Sequence, residues 1–161
     1  MTKEPLWITV AKRYLGLKEI PGPKHNSVIL KWLQKLKAWW ADDETPWCGV
    51  FVAECLGEAG LPKPKNWFRA LGWKDYGVEV SPRIGAILVF SRTGGGHVGF
   101  YAGEDKNNFY VLGGNQGNSV SLTWVNKSRL VACRWPKEAD SAEYSKVAMT
   151  SKGNSISTNE A

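Results

Sequence analysis

Cys48 has the side chain of a nucleophile and follows a run that favours a helix start. Thr45 could cap this helix, and Pro46 suits its first position. Pro46, Trp47 and Cys48 would then be the first three helical residues. Free N–H groups and the positive end of the helix dipole stabilise an anion there, which predicts a lowered pKa for the Cys48 thiol. Such a thiol is a better nucleophile near neutral pH.

The same helix also fits a purely structural role. Its apolar stripe has spacings of 3, 4, 7 and 11 residues and consists of Cys48, Phe51, Val52, Cys55 and Ala59. Free cysteine is often a small buried apolar residue, and we interpret Cys55 in this way. Position alone therefore leaves Cys48 open between core and catalysis, and a partner must decide.

His97 is the better candidate of two histidines for that partner, because His25 lies in a proline-rich loop. A glycine run brings His97 to the start of a predicted strand. Alternation along the strand puts Gly99 on the same face, which leaves space beside the imidazole. A structural role for His97 is the alternative.

Asn115, after the next predicted strand, could orient the imidazole by accepting its other N–H. Gln116 and Asn118 are competitors for this role. Asn and Gly are also the commonest residues of tight hairpins, so turn formation is an alternative for all three.

Helices precede strands along the chain. Helices are predicted at 5–15, from Asn26 or Ser27 to about 39, at about 46–59 and, shorter, at 66–72. Strands are predicted at about 84–91, 97–102, 108–113, 119–125 and 129–135. This order is typical of an α+β domain with an antiparallel sheet of about five strands, which should pack against the Cys48 helix.

The chain divides into a body and a polar tail. Residues 1–136 form the predicted single catalytic domain, whereas residues 137–161 are polar and predict a mobile tail with a possible short helix near 138–148. The tail holds three lysines and four acidic residues, so residues 1–136 carry a charge of +7 in a chain whose net charge is +6. A basic body favours polyanionic partners.

Several functional classes find no support in the sequence. No nucleic-acid-binding motif is recognisable, and we expect no nucleic acid partner. Two histidines 72 positions apart, without HExxH or CxxC spacing, predict neither a metal nor another cofactor. The acidic run Asp42 to Glu44 lacks a calcium-loop signature and is better interpreted as solvated.

The compartment can also be predicted. The first twenty residues carry scattered charges where a secretory signal needs an apolar stretch, so we expect cytoplasmic synthesis. No apolar run approaches the roughly 20 residues of a membrane span, and we expect no stable membrane insertion. Three cysteines without a signal peptide predict reduced thiols.

Three segments together resemble the CHAP and NlpC-type branch of papain-like cysteine hydrolases. They are TPWCGVFVAECL, GAILVFSRTGGGHVGFYAG and VLGGNQGNSVSL, and the family-like core spans about residues 40–136. The resemblance is closest to small phage-type lysins. By motif match, Cys48, His97 and Asn115 are implied as nucleophile, base and orienting residue.

Two positions depart from the family pattern. Ala86 stands where many relatives have Asp, and Gly113 where many have Glu, so the resemblance carries no role for a second carboxylate. The implied mechanism is acyl transfer, with the Cys48 backbone N–H as an oxyanion donor. Trp47 is predicted as a wall of the substrate cleft.

The implied function is amide hydrolysis in peptidoglycan by a phage or prophage endolysin. We expect a monomer that acts on the cell wall in the periplasm and needs a holin-like or secretion partner to reach it. One alternative is an antibacterial effector of the same chemistry delivered by cell contact. A non-enzymatic glycan-binding module, which would use some of the nine tryptophans, is another.

Overall fold

A computed structural model describes residues 3–20, 25–40 and 46–149, which form an α+β domain with its helices before its sheet. The helices are α1 (Leu6–Arg13), α2 (Ser27–Lys35) and α3 (Cys48–Glu58). A 3-10 turn at Ala70–Trp73 stands in place of the short helix predicted at 66–72. The predicted fold class is confirmed.

The sheet is antiparallel and has six strands in the order β1-β6-β2-β3-β4-β5. Its strands are β1 (Val78–Glu79), β2 (Ile87–Arg92), β3 (Gly95–Glu104), β4 (Asn108–Gln116), β5 (Ser119–Asn126) and β6 (Leu130–Trp135). Five of them match the predicted strands. The sixth, β1, was not predicted, because it has only two residues and no apolar alternation.

Local sequence explains both ends of α2. The Asn26 side chain accepts hydrogen bonds from the backbone N–H groups of Val28 and Ile29 and caps the first turn. The helix ends four residues before the predicted limit, because Lys37 has a positive φ of 60° that an α-helix cannot continue through.

Helix α3 is the central element of the core. It packs against β3 and β4 on one side and contacts α1 and α2 on the other. Every residue from Cys48 to Leu56 is buried, as expected for a helix covered on all sides. Cys55 is fully buried in this core, as predicted, and all three cysteines are free thiols.

Residues 137–149 lie against the sheet, although their composition predicts a mobile tail. The Glu104 backbone N–H donates to the Val147 carbonyl, and the Glu104 carbonyl accepts from the Met149 N–H. The predicted helix near 138–148 is wrong, because this segment instead pairs with the end of β3. Residues 150–161 of the predicted tail lie outside the described residues.

Within the described ranges, no helix has the length and apolar character needed to cross a membrane.

Glu54 is a carboxyl group in the middle of α3, and only 3% of its surface is exposed. Its Oε2 lies 3.0 Å from the Lys35 Nζ. Burial, followed by a hydrogen bond to Glu58, raises the pKa of Glu54 to about 7. Because the folded pKa exceeds the usual 4.5, this group stabilises the fold fully below pH 4.5 and loses that contribution as pH rises through 7.

Replacing Glu54 by glutamine should therefore stabilise the protein at pH 8 by roughly 1–3 kcal/mol and change little at pH 5. Glutamine is close to glutamate in size and carries no buried charge at either pH. Urea unfolding at both pH values measures the effect, and the exposed Glu138→Gln is the control. An equal loss of stability at both pH values would contradict this interpretation.

Candidate active site

Cys48 is the first residue of α3, and 6% of its surface is exposed. Trp47 is the N-cap, so the prediction that Pro46 and Trp47 open the helix is wrong. Thr45, the predicted cap, lies outside the described residues.

The environment of the Cys48 sulfur favours the protonated thiol. Burial raises its pKa, and this effect outweighs the backbone N–H groups of Val98, Gly49 and Cys48 itself, which donate towards the sulfur and lower it. The predicted lowering of the pKa by the helix start is therefore wrong for the protein without substrate. A protonated thiol needs a neighbouring base to become a nucleophile.

His97 lies on β3, directly before the residue whose N–H faces the Cys48 sulfur. The structure thus brings the predicted nucleophile and the predicted base to the same place. The imidazole is buried and stacks on the Phe90 ring, with centroids 6.4 Å apart. Its neighbours hold the ring in a fixed orientation.

Gln116 makes the hydrogen bond to His97 that we predicted for Asn115. The Gln116 Oε1 lies 2.8 Å from the His97 Nε2. The Gln116 amide nitrogen donates to two backbone carbonyls, of Ser121 at 2.7 Å and of Val111 at 3.2 Å.

These contacts fix the proton of the imidazole. Because carbonyl oxygens surround the Gln116 nitrogen, its oxygen must be the group that faces His97 and can only accept. The His97 Nε2 therefore carries the proton, and Nδ1 keeps a free lone pair. An imidazole in this tautomer can take a proton from a thiol.

A β-bulge explains why Gln116 and not Asn115 faces the ring. Gly113 pairs with Ser121 and Gln116 with Ser119, so two residues of β4 oppose one residue of β5. Asn115 occupies this bulge with a φ of 58°. The extra residue shifts the alternation of side chains along β4, so that the side chain of Gln116 reaches His97.

The two neighbouring positions have different roles. Asn118 lies with Gly117 in the tight turn between β4 and β5, both at positive φ, and is a turn residue. At Gly113 a Cβ atom would lie 2.8 Å from the Gln116 Oε1 and 3.4 Å from the His97 Nε2. Glycine at this departure from the family pattern is needed to accommodate the Gln116 side chain.

Cys48 lines a groove of about 610 Å³. Aromatic rings form much of it: Trp39 lies 4.8 Å from Trp40 and 4.6 Å from Phe68, measured between ring centroids. Gly94, in the turn between β2 and β3, and the first two residues of β3, Gly95 and Gly96, also line it. Two arginines, Arg69 and Arg92, complete the charged part of the lining.

Trp47 is not a wall of this groove, so that prediction is wrong. Its ring is fully buried and lies 6.3 Å from Trp32 between centroids. A Cβ atom at Gly114 would approach the Trp47 ring to 2.8 Å, which shows how closely β4 packs there. The exposed indole is that of Trp39, 72% of whose surface is accessible.

In the portion of the chain that the structure describes, no three His, Cys, Asp or Glu side chains are grouped to hold a metal. Asp42, Asp43 and Glu44, considered above for calcium, lie outside it.

The fold and the site define a class. Helices packed on an antiparallel sheet, with a cysteine at a helix start beside a strand that carries histidine, are features of papain-like cysteine hydrolases. Residues 40–115 match the family model of the CHAP domain, which confirms the predicted resemblance. No match was found among the curated proteins.

CHAP domains are typically cysteine- and histidine-dependent amidohydrolases, and their presence suggests peptidoglycan hydrolase or amidase activity in general. The matched segment includes Cys48 and His97 and ends at Asn115. Gln116 is the next residue, so the position that contacts the imidazole lies just beyond the match.

The pH profile of kcat/KM should have the midpoint of its acidic limb below pH 6.5. Burial lowers the pKa of His97, and the charges of Arg92 and Arg129 add to this effect against the Gln116 hydrogen bond. Because a general base must be neutral, kcat/KM should stay high below the usual histidine pKa and fall only as His97 becomes protonated. Initial rates between pH 4 and 8 measure this, and a midpoint above 6.5 would contradict it.

Proposed function

We propose that this protein hydrolyses an amide bond of peptidoglycan, with Cys48 as nucleophile, His97 as base and Gln116 as positioning residue. The observation that carries the proposal is the anchored Gln116 amide, which leaves the free lone pair of His97 on Nδ1. His97 directly precedes Val98, whose backbone N–H faces the Cys48 sulfur. The groove at Cys48 gives an extended substrate access to this thiol.

The reaction proceeds in two halves. His97 takes the proton of Cys48, the sulfur attacks the amide carbonyl carbon, and the Cys48 backbone N–H donates to the resulting oxyanion. The imidazolium then gives its proton to the leaving amine as the C–N bond breaks. Water attacks the thioester, His97 takes a proton from that water, and the departing sulfur regains it.

Product chemistry tests this reaction. Purified peptidoglycan should release new amino groups and no new reducing sugar ends, as mass spectrometry of the fragments would show. Their structures also separate an amidase from a stem-peptide endopeptidase. New reducing ends would contradict an amide hydrolase, whereas wall binding without products, unchanged in Cys48→Ala, would support a glycan-binding module.

The biological setting that we propose is lysis by a phage or prophage endolysin. Support comes from the three sequence strings that resemble small phage-type lysins. The protein would be a monomer made in the cytoplasm, and a holin-like partner would admit it to the wall.

Directed expression in a Gram-negative bacterium tests this setting. The chain should lyse cells when a cleavable leader sends it to the periplasm, or when a holin is expressed with it. It should be harmless when made alone in the cytoplasm, and the Cys48→Ala variant should be harmless everywhere. Lysis by the chain alone would contradict the need for a partner.

A further inference from the structure

The groove beside Cys48 has a positively charged lining in the part of the chain that the structure describes. Its charged lining residues are Arg69 and Arg92, and none of the described lining residues is acidic. Arg92 ends β2 and pairs with Gly95 across the turn. Arg69 directly precedes the 3-10 turn at Ala70–Trp73, on another segment of the groove.

Arg92 lies close to the reacting groups. Its charge lowers the pKa of both the Cys48 thiol and the His97 imidazole, and such an effect weakens with distance. A substrate group bound by Arg92 would therefore lie near the bond that Cys48 attacks.

Two other arginines of this fold use their guanidinium groups to bind backbone carbonyls. Arg129 donates to the Ser91 carbonyl at 3.0 Å, and Arg134 donates to the Tyr76 carbonyl at 2.7 Å. Among the described residues, no hydrogen-bond or ion-pair partner lies at the guanidinium group of Arg69 or of Arg92, although the Arg69 guanidinium lies over the Phe68 ring. Their donors are available to a ligand.

An indole adds a further donor. The Trp40 Nε1 is buried and has no acceptor among the described residues, and Trp40 also lines the groove. Two guanidinium groups and one indole N–H are all donors, and a carboxylate is an acceptor that Arg binds with two parallel hydrogen bonds.

We propose that Arg92 and Arg69 bind a free carboxylate of the peptidoglycan stem peptide, so that the groove discriminates against stem peptides in which this carboxylate is amidated. The inference rests on the proposed function, because it names the substrate feature that the same groove recognises. Stem peptides offer two such groups, the α-carboxylate of the γ-linked D-glutamate and the C-terminal carboxylate.

Binding to the Cys48→Ala protein tests this without requiring cleavage. The probes are L-Ala-γ-D-Glu-L-Lys-D-Ala-D-Ala, the same peptide with D-isoglutamine, and the same peptide with a C-terminal amide. Calorimetric titration at pH 8 and low salt should give about 10- to 100-fold weaker binding for one of the two amidated peptides. Which one loses affinity identifies the carboxylate.

Arginine variants of the Cys48→Ala protein test which arginine binds the carboxylate. Arg92→Gln and Arg69→Gln should each reduce the preference for the free acid, and Arg92→Lys should retain part of it. Arg13→Gln is the charge-matched control, because Arg13 is exposed on α1 outside the groove. It should leave the preference as it is.

Three results would overturn the inference: equal binding of all three peptides, no binding of any, or a preference that survives both Arg92→Gln and Arg69→Gln. Cleavage by the unsubstituted protein is scored separately. A preference for the free acid without Cys48-dependent cleavage of peptidoglycan would overturn the proposed function and support the carboxylate site.

Discussion

Replacing Cys48 by alanine should lower turnover of peptidoglycan by at least about 10³-fold while the protein still folds and binds the wall. The sulfur is the atom that forms the proposed thioester, so no other described side chain can replace it. His97→Ala should cause a loss of similar size, because a thiol of raised pKa needs its base. The double variant should be no worse than either single one, since the two residues act as a unit.

Cys55 and Cys133 provide matched controls. Both are buried thiols, and burial raises the pKa of Cys133 to about 12. Cys55→Ala and Cys133→Ala should keep most activity in folded protein, as circular dichroism would verify. Alkylation should inactivate all proteins that retain Cys48, and a Cys48→Ala protein with normal turnover would end the proposal.

Gln116→Ala should lower turnover by about 10- to 1,000-fold and leave Cys48 open to alkylation. The proposed nucleophile and base remain, but the imidazole loses the acceptor that fixes its tautomer. We now expect this loss at Gln116, whereas the sequence predicted it at Asn115. Kinetics of Gln116→Ala and Asn115→Ala, measured side by side, provide the comparison.

The pH profile of kcat/KM distinguishes a loss of His97 orientation from a loss of protein stability. The Gln116 hydrogen bond raises the pKa of His97, so its removal should move the acidic side of the profile to lower pH. Asn115→Gly is the gentler control, because glycine tolerates the positive φ of the bulge. If Asn115→Gly proves damaging and Gln116→Ala silent, the assignment of the third residue is wrong.

The sequence was informative where local chemistry determines structure. Asn26 caps α2 as a short amide side chain should, and the glycine run before His97 forms the turn that brings it onto β3. The nucleophile and the base were both proposed from their positions at the start of an element. These positions depend on residues that are neighbours in the chain.

The errors concern features that depend on distant residues. Trp47 adjoins the nucleophile in sequence, but only the packing of Trp32 and Gly114 shows that it is buried. Residues 137–149 belong to a segment whose polar composition predicted a mobile tail, and their hydrogen bonds to Glu104 could not be predicted from composition. The pKa of Cys48 was predicted from the helix start, whereas the amount of burial determines its direction.

Because of the bulge at Asn115, a sequence alignment alone does not identify the residue that contacts His97. Side chains alternate between the two faces of β4, so one extra residue in the strand changes which side chain faces the imidazole. A single insertion or deletion in this strand could therefore bring an adjacent side chain into contact with the imidazole. Cys48 and His97 would keep their positions. Relatives of this chain could use different amino acids in different alignment columns for the same contact. In comparisons of CHAP domains, the third residue should be assigned from the side chain that contacts the histidine.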